Sequence, residues 1–488
     1  MNTISLIMAA TMAVYFLLLL GVSRLTARRT DNDTFFRAGR QSPWWMVGFG
    51  MIGASISGVS FISVPGWVST TGMTYLQMCA GFFFGYLVVA FVLLPLYYRL
   101  GLTSIYAYLG TRFGRGAQRT GSIFFMLSKL TCAAARLYIV VLVLRQFLLP
   151  QLPVGGLADI AAFAGLTALV LLLIWLYTRR SGIFTIVRTD ALQTSCLLLA
   201  LVLMIGIAAS RLDLGMAGAV RTVADSPMAH VFDWAPGSRQ NFWRQFLSGI
   251  FIVIVMTGLD QSMMQKNLTC RTLREAQKNM CAYGVCFLPV NLLLLGFGIL
   301  LYALAAKSGV TASGDALLPV LVSSGALGAA VVVPFSVGIV AAAFASADSA
   351  LAALTTSCCL DLLRLEERGL DAKRQALVRR RVHVVMSGAF LICILLFRAF
   401  NDTSLINAIY VMAAYTYGPL LGLYAFGLTT RRAVRRRAVL PVCVAAPLVC
   451  ALLDAGAPYW WGYSFGYELL MLNGALTYAG LLAASRRC

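Results

Sequence analysis

Between Val331 and Thr356 a long apolar run carries Ser346, Asp348, Ser349, Thr355 and Thr356, side chains that hydrocarbon excludes. At about 100° per residue, Ala342, Ala345, Ser346 and Ser349 share one helical face at i, i+3, i+4 and i+7. Small side chains there let another backbone approach, and the hydroxyls can replace water around a dehydrated cation. Asp348 lies about 60° to one side of Ala345. A carboxylate in hydrocarbon costs roughly 2.5–3.5 kcal/mol on insertion scales, which marks Asp348 as a functional candidate. The competing reading of the serines is a packing seam whose hydroxyls bond back to their own helix.

Other apolar runs carry intrusions of the same kind. Gly48 to Trp67 gathers Gly53, Gly58, Ser55, Ser57, Ser60 and Ser63, then Pro65-Gly66. Such a composition interrupts the helical ladder and frees carbonyls to line a cavity; the alternative is a kinked helix packed on a neighbour. Gly258 is followed by Asp260-Gln261, and Asp190 and Gln193 lie two turns inside another run. Lys129 and Arg136 interrupt a further one. Arg136 is expected to pair with a carboxylate or helix-end carbonyls, in preference to an anionic substrate.

These residues must be positioned by membrane helices. The 488 residues are 60% hydrophobic and 12% charged, a composition of polytopic helical membrane proteins. Thirteen apolar runs approach the roughly 20 residues that span a bilayer: 4–23, 44–69, 74–98, 120–148, 157–177, 183–209, 245–265, 281–305, 329–356, 383–400, 404–428, 438–454 and 464–485. The first lacks a basic n-region and a cleavage site, so it reads as a retained helix. Loops 24–43, 99–119, 178–188, 266–280, 357–382 and 429–437, with the tail, hold thirty of the 39 basic residues. If the spans alternate, all lie on one side, which the positive-inside rule makes cytoplasmic. The N-terminus is then outside and the C-terminus inside. The net charge of +21 is on this view a topology signal and a contact with anionic lipid, and not a nucleic-acid surface. The twelve cysteines form no CxxC pair, and the two histidines leave little for a metal centre. The outer stretch DAGAPYWWGYSFG reads as an aromatic interface belt.

Spans 2 and 7, both interrupted, are five apart. That recurrence points to inverted five-helix repeats with a site at their midplane. Residues 1–488 form one transporter domain: an extra helix (4–23), a first repeat (44–209), a second repeat (245–428) and two extra helices (438–485). Span 9 is the third helix of the second repeat.

Six pieces in order resemble the sodium/solute symporter family: GASISG…PGW in span 2, TSIYAYLGTRFG (103–114), RTDALQ around Asp190, GLDQSMMQKNLTCRTLREAQKNM after span 7, the polar ninth span and YGPLLG (417–422). The resemblance covers almost the whole chain. It implies an all-α LeuT-type five-plus-five fold of about 13 helices and a sodium site between spans 2 and 9. Carried over by position, backbone ligands fall at Gly53, Ile56 and Ala342, and hydroxyl ligands at Ala345 and Ser346. This chain departs from the pattern at Ala345, which has no hydroxyl, and at Asp348, where a small neutral residue is usual. A second cation or a proton is assigned to Asp190, Asp348 and Ser349. Ser57, Ser60, Gln77, Thr257 and Asp260 are candidates to face a substrate. The residues of sugar-binding members are not recognisable, since span 7 reads IVIVMTG.

The function implied is sodium-coupled import of a small solute, an organic anion or a sugar-like metabolite, by alternating access. Sodium is the coupling ion and the one metal, with no other cofactor. The setting implied is a bacterial inner (plasma) membrane, with a functional monomer. A proton-coupled transporter using Asp190 or Asp348 is the alternative, as is a non-transporting sensor, for which the chain's ending at SRRC leaves no signalling domain. Neither histidine nor cysteine usage offers enzyme chemistry.

Overall fold

The computed structural model describes residues 3–26, 32–153, 155–178, 182–400 and 405–486. Arg28, Arg29, Arg179, Arg180 and Arg487 of the basic segments, and position 404 at the start of the eleventh run, lie outside them. Among the described residues, ten helices are long and apolar enough to cross a membrane, and two bent pairs, each taken as one span, bring the number to twelve. At the thirteenth position stands a shorter apolar helix, Leu469–Ala483. Helices prevail because hydrocarbon offers no partner for a free backbone N–H or C=O.

Both expected interruptions are present. Span 2 is Trp44–Ser55 and Gly58–Thr71, bent by 59°; span 7 is Phe242–Gly258 and Gln261–Asn267, bent by 69°. A π-turn, Ile254–Gly258, leads into the second break. The carbonyls left without helical partners there are taken by tyrosines: Tyr97 donates to Gly258 O at 2.9 Å and Tyr106 to Leu259 O at 2.8 Å. The chain between spans 3 and 4 closes under the same break. Ile105 N–H donates to Gln261 Oε1 at 2.9 Å, Gln261 Nε2 to Thr103 O at 2.8 Å, and Tyr424 Oη to Ile105 O at 2.8 Å.

Span 9 (Val332–Ser357) is the axis of the molecule. Every residue from Gly338 to Ser357 is buried, and it packs against spans 1, 2, 4 (Arg115–Leu148), 6 (Ile183–Arg211) and the second half of 7. Spans 1 (Thr3–Thr26), 10 and 12 bury least of their apolar windows. Two boundaries differ from the hydropathy reading. Span 10 begins at Ala372 and not at 383, and span 12 runs on to Trp461, through the stretch read as an aromatic loop. Polar residues such as Lys373, Arg374 and Gln375 in span 10, and aromatic ones such as Trp460 and Trp461 in span 12, continue a helix beyond the hydrocarbon, where hydropathy does not register it.

Candidate sodium and solute site

Span 2 stops being helical at Ile56 (φ −78°, ψ 81°) and restarts at Gly58. Beside this break lies a cavity of about 90 Å³. Ser57, Ser60, Thr257 and Asp260 line it as expected, as do Ser346 and Ser349 of span 9. Gln77 does not. It lies at the start of span 3, where its amide donates to Gln240 O at 2.9 Å and its carbonyl accepts from Asp233 N at 3.2 Å, tying down the loop before span 7.

Asp260 is occupied on both oxygens. One accepts from Ser262 N (2.8 Å), Ser262 Oγ (2.5 Å) and Met263 N (3.3 Å), capping the helix after the break. The other accepts from Lys129 Nζ at 3.0 Å and Tyr417 Oη at 2.6 Å. The Lys129 charge facing the cavity is thereby neutralised. Arg136 lines the same cavity, and no carboxylate or carbonyl among the described residues pairs with it. The expectation of an internal partner for Arg136 is thus corrected: its guanidinium is the uncompensated charge of the cavity.

Of the residues assigned to sodium, Ser346 alone contributes its side chain to the cavity wall; Ala342 and Ala345 are buried at 0% and 1% exposure. Ser346 Oγ donates to Ala343 O at 3.1 Å, and Ser349 Oγ to Ala345 O at 2.9 Å. The hydroxyls therefore bond back to their helix while also facing the cavity. Gly53 lies against Thr194 of span 6; a Cβ there would come within 3.1 Å of Thr194 Cα. Its lack of a side chain permits spans 2 and 6 to touch.

Asp348 turns toward span 5 (Leu157–Thr178). It accepts from Tyr177 Oη at 2.8 Å and from Ser349 Oγ at 3.0 Å. Asp190 of span 6 and Lys266 lie within electrostatic reach of it. Lys266 Nζ lies 2.6 Å from Asp190 Oδ2, with both side chains at 1% exposure. Nothing in the sequence reading singled out Lys266, which was counted among loop cations. The signal was its position, six residues after the polar interruption at Asp260, where the chain has already turned back into the protein. Removing one member of such a buried pair costs about 3–5 kcal/mol. Arg379, another counted cation, is also buried, over the Phe35 ring at 4.3 Å.

Aromatic residues that no motif flagged close the cavity on the other side. Tyr75 Oη and Tyr410 Oη lie 3.2 Å apart, Trp67 packs on Tyr75 at 5.7 Å and Tyr467 on Tyr410 at 4.9 Å. Beyond them is a hollow of about 440 Å³ lined by Trp67, Arg239, Asp454 and Tyr467 among others.

A small polar cavity thus lies between two helices broken at its level, with the aromatic cluster beside it. The profile of the sodium:solute symporter family matches residues 35–444. The human sodium/iodide cotransporter is 26% identical over 88% of this chain and 64% of its own length. The sodium/sialic acid symporter SiaT of Proteus mirabilis is 23% identical over 89% of this chain and 86% of its own. A solved substrate-bound, outward-open structure of a Na+-coupled sialic acid symporter superposes with a TM-score of 0.80 at 19% identity, covering 99% of both chains. These relatives are transporters and not enzymes, and the likeness extends from sequence pieces to the entire helix arrangement: the chain belongs to the sodium:solute symporter family.

Proposed function

We propose that the protein imports a small organic anion together with sodium, by alternating access across a bacterial plasma membrane. The substrate charge rests on one observation: Arg136 faces the cavity without a partner among the described residues, while the neighbouring Lys129 is neutralised by Asp260 at 3.0 Å. An uncompensated guanidinium in a low-dielectric space favours a planar carboxylate that accepts two parallel N–H bonds. Sialic acid, iodide and monocarboxylates, named as cargo of related transporters, are anions under physiological conditions.

Sodium is assigned to the gap between the span 2 break and span 9, with carbonyls at Gly53, Ile56 and Ala342 and the Ser346 hydroxyl as ligands, Ala345 standing at the position where a second hydroxyl is missing. Asp348, two residues from Ser346, supplies negative charge in place of the hydroxyl missing at Ala345. Sodium draws spans 2 and 9 together and orders Ser57 and Ser60 for the solute. The coupling is reciprocal, so each ligand tightens the other by the same factor. The aromatic layer around Tyr75 and Tyr410 is the outer gate and the 103–106 segment beneath Gln261 the inner one.

Reconstituted protein tests this with a panel of carboxylates and their amides, under a sodium gradient and with choline in its place. A carboxylate is expected to accumulate with sodium alone, and its amide not at all. Losing a charged hydrogen-bond partner is worth about 1.5–3 kcal/mol, so Arg136→Gln should weaken apparent affinity about 10- to 150-fold. Equal uptake of amide and acid, or an unaffected Arg136→Gln, would overturn the anion assignment.

A further inference from the structure

The sodium-coupled reading leaves open how many cations are bound, and a second polar cluster beside the cavity bears on that number. Spans 5, 6 and 9 and the second half of span 7 bring together two carboxylates and one ammonium. Asp190 and Lys266 meet at 2.6 Å, with Asp348 within electrostatic reach of both. The pair is held by charge and not by direction: Asp190 Oδ1 and Oδ2 and Lys266 Nζ make no hydrogen bond of ordinary geometry. Gln193, one helical turn from Asp190 and 1% exposed, leaves its amide oxygen unpartnered. It lies close to Tyr177, the phenol that donates to Asp348. Two acids and unpartnered amide oxygen, all buried, form a cradle for cations, and a lysine ammonium is the compact point charge that such a cradle accepts. The bend of 69° in span 7 delivers it, by turning Gln261–Asn267 inward.

We propose that Lys266 is a cation built into the chain: its ammonium takes the place that a second sodium would fill beside Asp190, so the transporter binds one coupling sodium. With Asp190 paired to Lys266, Asp348 is the remaining acid of the cluster, two residues from Ser346. One sodium and one monovalent anion then cross together without net charge, and uptake does not respond to membrane potential.

Binding of radioactive sodium to the purified full chain in lipid nanodiscs, without any solute, counts the sites. The wild type is expected to bind one sodium. Lys266→Met, which exposes Asp190 to the cradle, is expected to bind two; Lys266→Met with Asp190→Asn returns to one, and Lys266→Arg stays at one. Two sodium ions on the wild type, or one on a folded Lys266→Met, would overturn the proposal. Should Lys266→Met fail to fold, Lys266→Gln, which also removes the ammonium, is counted in its place, and the wild-type count stands on its own: one sodium supports the proposal and two refute it. Absence of any sodium on the wild type would instead bring down the sodium-coupled reading itself.

Discussion

Asp348 is fully buried, yet the Tyr177 hydroxyl at 2.8 Å, and the Ser349 hydroxyl at 3.0 Å whose one hydrogen is shared with Ala345 O, keep its oxygens solvated by protein. Those bonds make a carboxylate tolerable where the family pattern has a neutral residue. They also hold it beside the face that carries Ser346. Asp348→Asn preserves volume and one acceptor while removing the charge. A unit charge about 4 Å from a cation is worth up to about 4 kcal/mol at an effective dielectric of 20, so sodium affinity should fall at least tenfold. Sodium-dependent thermal stabilisation of purified protein reads this directly; an unchanged midpoint would return Asp348 to a packing role. Ser346 and Ser349 show how the two readings of a polar seam coexist, since each hydroxyl satisfies its own helix by one bond and keeps lone pairs for a ligand.

Among the elements, the two broken helices matter most, because each break exchanges backbone hydrogen bonds for movable side-chain ones. The span 7 break is capped by Asp260 and stitched to the 103–106 segment through Gln261 and Tyr106, with Tyr424 anchoring the same segment. In the proposed transport cycle, opening toward the cytoplasm breaks these bonds. Tyr424→Phe removes one, worth about 0.5–1.5 kcal/mol, and should shift the population about 2- to 10-fold toward the inward-facing form. Cys132, which lines the cavity, reports it: in a chain with the other cysteines replaced, a membrane-impermeant maleimide applied from the cytoplasmic side should label Tyr424→Phe faster than the parent. Equal rates would exclude this segment as the inner gate.

For the whole molecule, the aromatic layer and the 103–106 segment lie on opposite sides of the cavity, and their assignment to outside and inside depends on topology. We propose the arrangement of thirteen spans with the N-terminus outside and the C-terminus in the cytoplasm, divided into repeats at 44–209 and 245–428; it would make Tyr75 and Tyr410 the external gate. A green fluorescent protein fused after the last residue folds in the cytoplasm and not after export, so bright cells are expected. Dark cells, with activity from alkaline phosphatase fused at the same place, would reverse the orientation and both gates with it.

The sequence by itself determined the helical membrane class, both interruptions and the family, because hydropathy, glycine clustering and ordered motifs act locally along the chain. It also identified Asp190, Asp348 and Asp260 as anomalies, since a lone carboxylate in an apolar run stands out whatever surrounds it. What faces each anomaly was decided only by the tertiary structure. Gln77 and Ser60 look alike as polar residues near a membrane, but one holds an outer loop and the other lines the cavity. Arg136 and Lys266 look alike as cations, and sequence reasoning paired the first and put the second at a lipid surface. Folding reversed both, bringing Asp190 to Lys266 across 76 positions of chain and leaving Arg136 facing the cavity. Pairing depends on which helices touch and on the angle at which a broken one re-enters, and neither is encoded in the spacing of residues along one strand of chain.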